Sequence, residues 1–393
     1  MNAHAEVVPG PLWTRGMKTL AAVAGLGIVL LAWRFAAGLG AVTGLSDGYP
    51  WGLWIAFDVV TGTALGCGGY AIAILVYVLN RGQYHPLVRP AVLTSALGYS
   101  LAAIAIVVDV GRPWFIYRIP LHFWQWNLDS ALLEVALCVM AYVVVLWVEM
   151  TPAVLERWRD SQVPMLRRVA ETVGPVLDRA LVFVLALGVL LPTMHQSSLG
   201  TVMLLAGDKL HPLWRTPLLP LLFLVSCIAM GYAVVVFEGA LAAAAFRRRP
   251  ETPMLASLSR AMVVVVALYL ALRFLDLGVR GQLGRVLTFD RVGLLFLLET
   301  ALFVVPGAML LDRRRGQHLG HLFRAATLLL LGGALYRFDS YLLAFNPGPG
   351  WSYFPAVPEL LITLGLVAGE VMVYVALVKS FPILGGQPAP AHA

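Results

Sequence analysis

Charge is scarce in this chain. Only 12% of its 393 residues are Asp, Glu, Lys or Arg, about half the share of an ordinary soluble domain. So little charge cannot cover the surface of a water-soluble protein of this length. It excludes a soluble enzyme and a disordered segment alike. Cysteine is almost missing: Cys67, Cys138 and Cys227 stand singly and far apart. That excludes a disulfide-framed secreted scaffold. With no C-x-x-C run, an iron–sulfur cluster held by this chain is not expected either. The commoner role of such cysteines is as small packing residues. No phosphate-cradling G-x-x-x-x-G-K-[ST] stretch occurs.

What the chain has is apolar surface. Hydrophobic residues make up 60% of it. Runs of roughly 20 residues, long enough to cross a bilayer, recur ten times. They cover approximately 17–38, 51–80, 89–111, 130–150, 177–205, 216–246, 255–278, 291–311, 322–345 and 356–380. Gly and Pro inside these runs are common in membrane helices. The first run is too long for a cleavable signal, and no small-residue cleavage site follows before Asp47. The expected fold is an all-α integral membrane protein of about ten transmembrane helices.

The basic residues set the orientation. Arg15, Lys18, Arg81, Arg89, Arg157, Arg159, Arg167, Arg168, Arg179, Arg247, Arg248, Arg249, Arg260, Arg313, Arg314, Arg315, Arg324 and Lys379 fall on one side. The other side holds Arg34, Arg112, Arg118, Lys209, Arg215, Arg280, Arg285 and Arg291. The positive-inside rule puts the richer side, with both termini, in the cytoplasm. The net charge of +7 therefore reflects topology and not a nucleic-acid surface.

Ionisable residues inside the spans are costly, and are kept for partners, cavities or function. Asp58, Asp109, Arg112, Glu134, His195, Arg273, Asp276, Arg337 and Asp339 lie toward the outer face. Glu299 and Glu370 are nearer mid-depth, and Glu149 and Glu238 lie toward the cytoplasm. Arg273/Asp276 and Arg337/Asp339 read equally well as mutual structural pairs. Asp109 and Arg112 read as a pair three residues apart on one helix face. Glu134 and His195 have no opposite charge within one turn of their own helix, which favours function. The outer loop 112–129 is aromatic, with Trp114, Tyr117, His122, Phe123, Trp124 and Trp126. It reads as an interface anchor or, with the Pro/Gly-rich loop 346–355, as a docking floor for another protein.

Short strings recur at offsets of 162–167 residues: Asp109–Gly111 with Asp276–Gly278, Leu132–Leu137 with Leu297–Leu302, and Gly69–Ala71 with Gly231–Ala233. They suggest two related four-helix bundles, spans 2–5 and 6–9, in parallel repeat with flanking helices. The expected units are 1–50 (tail and first helix), 51–206 (first bundle), 207–345 (second bundle) and 346–393 (last helix and tail). His195 has no histidine counterpart in the second unit, so the first is the better site candidate.

A membrane b-type haem usually takes histidines on helices as axial ligands. Of the histidines at 4, 85, 122, 195, 211, 318, 321 and 392, only His195 is well inside a span, so no haem is expected. No metal site is expected. An apolar pocket with a few protonatable groups suits a lipid-soluble quinone, whose reduction takes up protons as well as electrons. A carboxylate such as Glu134 or Asp58 and an imidazole such as His195 can shuttle those protons. Trp and Tyr would pack the ring.

Several motifs carry a family resemblance. They are Gly48–Asp58 (GYPWGLWIAFD), Asn80–Pro90 (NRGQYHPLVRP), Asp109–Arg112 (DVGR), Leu191–Gly200 (LPTMHQSSLG), His211–Trp214 (HPLW) and Phe345–Gly350 (FNPGPG). In this order they resemble the NrfD/polysulfide-reductase membrane-subunit family. Most narrowly they resemble its HybB branch, the integral membrane subunits of periplasmic [NiFe] hydrogenases. The resemblance implies ten helices and a menaquinone or ubiquinone site near the periplasmic face of the first bundle. It implies a ferredoxin-like iron–sulfur subunit docked on the periplasmic loops, with hydrogenase small and large subunits beyond it. It implies the bacterial inner membrane and no haem. Glu134 and His195 match the family's residues for quinone-linked proton transfer. Asp58, Asp109 and Arg112 match other polar positions of that bundle, and His122 and Trp126 are further quinone-pocket candidates. Glu238, Glu299 and Glu370 are candidates for a transmembrane proton path. A molybdenum oxidoreductase as partner and a purely structural anchor are the rival readings. A secondary transporter is a distant third, since no helix reads as clearly broken by paired mid-depth glycines.

Overall fold

The structure, a computed structural model, describes residues 5–312 and 314–385. His4, Arg313 and His392 lie outside them. Ten helices are long and apolar enough to cross a membrane: α1 (Arg15–Ala37), α2 (Trp54–Val78), α3 (Gly82–Asp109), α4 (Ala131–Arg159), α5 (Pro164–Leu205), α6 (Leu219–Phe246), α7 (Thr252–Val279), α8 (Arg291–Leu311), α9 (Leu319–Leu343) and α10 (Val357–Ser380). Isolated bridges join Glu6 with Leu384 and Leu210 with Phe345.

Most bounds match the apolar runs within a few residues, but two helices are longer. The stretch 151–176, expected to be a loop, is mostly helix. α4 continues to Arg159 and α5 begins at Pro164, giving α5 42 residues. Hydropathy marks only the part of a helix that sits in hydrocarbon. The Leu, Glu, Arg and Ala of this stretch are strong helix formers in water too. Pro164 at the first helical position suits the tight turn between them.

The second departure is in α2, which is not one regular helix. Its Trp54–Thr61 and Ile74–Val78 segments are π-helical. Between them a turn at Gly66–Cys67 separates two short α-helical pieces. The expectation of unbroken helices is therefore wrong here. Gly62, Gly66, Gly68 and Gly69 weaken the helix, and close neighbours fix the alternative. A Cβ on Gly231 of α6 would lie 2.5 Å from the Cys67 carbonyl oxygen, so the two backbones touch where α2 breaks.

α2 and α6 are the most enclosed helices. α6 packs on α2, α5, α7 and α9, and α2 also packs on α3 and α9. α1 and α10 pair with each other, and α10 leans on α3. The segments flanking this pair join on one face, where the Glu6 amide donates to the Leu384 carbonyl (3.1 Å) and Val8 to Val378 (3.0 Å). Small residues set the α1–α10 crossing, as in other membrane helix pairs. A Cβ on Gly27 would sit 2.8 Å from the Gly365 Cα. Gly27→Leu is expected to destabilise the protein by about 1–3 kcal/mol through overpacking, read as a lower thermal midpoint. An unchanged midpoint would mean the crossing is not tight.

Candidate functional site

His195 lies on α5 and is fully buried. Its Nε2 is 3.2 Å from the Thr63 hydroxyl of α2. Thr63 spends its single proton on the Val59 carbonyl (2.7 Å), so its oxygen can only accept from the side chains around it. Gln196 Nε2 donates to that oxygen at 3.1 Å, and His195 Nε2 must do the same. The proton of the neutral imidazole is thereby placed on Nε2. Nδ1 is left as a buried base with no hydrogen-bond partner. The ring lies beside the first turn of α4, near Val135. The Tyr99 ring meets it edge-on at 5.5 Å, and Tyr142 packs on Tyr99 at 4.5 Å.

Glu134 stands in that same first turn of α4, capped by the Ser130 side chain. It is half-buried. The exposed amides of a helix N-terminus favour negative charge there. No hydrogen bond or ion pair engages its carboxylate among the described residues. His195 thus lies against the backbone of the residue that follows Glu134 in α4, and no contact joins the two side chains among the described residues.

Arg337 of α9 closes the site from the other half of the chain, fully buried. Nε donates to the Val60 carbonyl (3.1 Å) and Nη2 to Gln196 Oε1 (3.3 Å). The remaining donors reach Ser226, Met230 Sδ, and the Phe223 and Gly333 carbonyls. Carbonyl dipoles, and no carboxylate among the described residues, hold this charge. Val60 lies in the π-helical segment of α2, and Arg337 stands two residues before another, Asp339–Leu343. π-Helical turns re-aim backbone groups and often occur at functional sites.

The other candidates fall elsewhere. Asp58 accepts from Thr363 (2.8 Å), and its Oδ1 has no partner. It lines a separate cavity of about 310 Å³ with Glu238 and Glu370. Glu238 is held there by Thr94 and Tyr374, each at 2.6 Å. It also borders a pocket with Arg248, Arg249 and Glu251. Glu299 is in the second half of the chain, paired with Arg273. The expected Arg273/Asp276 and Arg337/Asp339 pairs are not formed, because Asp276 binds Arg280 and Thr216 and Arg337 reaches across to α2. Asp109 ends α3 next to Arg34, which donates to the Val108 and Val110 carbonyls, and Arg112 is exposed beyond it.

His122 and Trp126 belong to the aromatic loop. His122 stacks on Trp124 at 5.2 Å, and Trp126 donates to the Ile119 carbonyl. On the same face, Glu359 accepts from Tyr353, Gly44 and Ala356, tying loop 346–355 to the segment between α1 and α2. Burial, then the Glu359 carboxylate, pushes the Tyr353 phenol well above its usual range. Burial and the Arg285 guanidinium hold the His211 imidazole below its usual value, which keeps it uncharged at neutral pH.

Sequence reading missed Thr63, Gln196 and Tyr99. Uncharged side chains carry no hydropathy anomaly, although Gln196 directly follows His195 in the conspicuous Leu191–Gly200 string.

Among known proteins, the family model described as "Polysulphide reductase, NrfD" matches residues 41–344. The Probable Ni/Fe-hydrogenase 2 b-type cytochrome subunit of Escherichia coli is 42% identical over 364 residues, 91% of this chain and 89% of that one. The integral membrane subunit of menaquinone reductase from Nitratidesulfovibrio vulgaris is 36% identical over 168 residues, 42% of this chain and 37% of that one. A selenate reductase subunit of Mesobacillus selenatarsenatis is 25% identical over 236 residues, 56% of this chain and 54% of that one. These matches cover most of the described helices and both halves of the polar site, and the chain belongs to the NrfD family of integral membrane proteins.

Proposed function

We propose that this chain is the quinone-reactive membrane subunit of a [NiFe]-hydrogenase complex in the bacterial inner membrane. Both termini face the cytoplasm. A periplasmic ferredoxin-like subunit passes on electrons from the hydrogenase small and large subunits. Menaquinone or ubiquinone takes up two electrons and two protons here and leaves as the quinol. The hydrogenase name of the 42% identical relative and the menaquinone name of another support this reading. The selenate reductase relative keeps a molybdenum-type partner as the second reading.

One observation carries the assignment of the site: a buried imidazole whose Nε2 is fixed by Thr63 and whose Nδ1 meets no hydrogen-bond donor, lying against the backbone of Val135 in α4. Nδ1 can accept a hydrogen bond from a quinol hydroxyl or, once protonated, donate to a quinone oxygen. Glu134 relays the proton. Arg337 and Gln196 keep the ring in register. The cavity of Asp58, Glu370 and Glu238 is suited to proton supply from the termini face; Glu299 does not line it.

The relative's name includes a b-type cytochrome, but the residues here do not fit a haem. His195 is the one histidine fully buried in a span among the described residues, and Thr63 occupies its Nε2. His321 turns its Nε2 to the Met309 carbonyl.

His195→Gln keeps a donor for Thr63 but has no basic nitrogen. In the assembled complex it is expected to lower hydrogen-driven quinone reduction about 100-fold, the loss typical of a missing acid–base group. Reduction of a water-soluble dye by the hydrogenase subunits should stay at the wild-type rate. Normal quinone turnover in this variant would rule the assignment out.

A further inference from the structure

We infer that Glu299 and Asp339 share a single proton, forming a proton-binding site in the second half of the chain apart from His195. Glu299 stands in the recurring string Leu297–Leu302 at the place Glu134 holds in Leu132–Leu137. The two surroundings differ. Glu134 is half-buried and its side chain engages no partner among the described residues, whereas Glu299 is sealed, with no exposed surface.

Three donors meet Glu299. Both terminal nitrogens of Arg273 reach its carboxylate, and Trp214 Nε1 donates to Oε2 at 2.9 Å. Asp339 is also fully buried and lies against Glu299. Yet neither of its carboxyl oxygens has a hydrogen-bond donor. Two bare carboxylates in contact away from water would repel, and the single charge of Arg273 balances only one of them. One proton removes the conflict. The hydroxyl of one acid then donates to the other, and a single negative charge remains to balance Arg273.

The groups around the pair supply no alternative. Arg337, two residues before Asp339, directs its donors at Val60, Gln196, Ser226, Met230, Phe223 and Gly333. Asp276 is taken by Arg280 and Thr216. Tyr269 contacts Arg273, and Phe296 and Tyr336 cover its guanidinium at 4.6 and 4.9 Å. The Tyr336 hydroxyl, one turn from Asp339, is buried without a partner. It is a second unsatisfied group at the same spot. Arg337 joins this site to the Gln196–His195 side, and its relevance to quinone chemistry rests on the function proposed above. The shared proton itself does not.

The test therefore uses the full chain in membranes without quinone or partner subunits. Glu299→Gln, Asp339→Asn and the double variant are compared with wild type. If the acids share one proton, either single amide leaves one carboxylate for Arg273 and an N–H in place of the proton. Each single variant then keeps folded yield within about twofold, while the double variant strands Arg273 and loses about tenfold or more. Infrared difference spectra of Asp339→Asn against wild type should show loss of a protonated-carboxyl stretch. A plain Arg273–Glu299 ion pair would make Glu299→Gln as damaging as the double variant. That result, or an infrared difference showing only carboxylate loss, overturns the inference. Failure of the quinone reading would leave both measurements unchanged.

Discussion

Glu134→Gln lowers hydrogen-to-quinone turnover about 100-fold or more, the size of one lost proton-transfer group. The amide fills the same space and keeps the Ser130 cap of α4 intact. Since no partner engages the Glu134 side chain among the described residues, the exchange breaks no contact. The loss should appear in turnover, with folded yield and dye reduction by the partner subunits close to wild type. Glu134→Asp keeps the acid and should recover part of the rate. Unchanged turnover in Glu134→Gln would remove the relay role and leave His195 to be supplied by water or by α2.

Arg337→Met should be the most damaging single exchange for folding. Methionine fills much of the volume but supplies none of the N–H groups that meet the Val60, Phe223 and Gly333 carbonyls. Leaving a buried charged network half-made costs about 3–5 kcal/mol, and here the contacts join α9 to both α2 and α6. The expected readout is a collapse in folded yield and thermal midpoint. Arg337→Lys restores charge but not the planar fork, so it should rescue poorly. Full rescue by lysine would show that charge alone matters at this position.

The sequence made the membrane spans legible because lipid imposes one requirement on every residue in them. The places where it misled are those where another requirement acts. α4 and α5 outlast their apolar cores because helix propensity does not stop at the bilayer edge. α2 breaks because four glycines meet a close crossing with α6, which is a property of two helices and not of one. The scarce charges singled out Glu134 and His195 as residues in need of explanation. Their partition could not be read from order along the chain. Asp58 turns to Thr363 and Glu370, Glu299 to Arg273, and Arg337 to carbonyls more than 100 residues away. Thr63 and Gln196 stayed invisible because a neutral polar side chain in a membrane helix is unremarkable until its partners are known.

The crossing of α1 and α10 has a consequence in time. The glycines that touch are separated by roughly 340 residues. At synthesis rates of about 5–20 residues per second, α1 enters the bilayer about 20–70 s before its partner exists. During that interval Gly27 presents its bare backbone to lipid, and the Glu6 and Val8 amides have no carbonyls to meet. The last helix made is therefore the one that secures the first. A nascent chain stopped short of α10 leaves α1 without its partner.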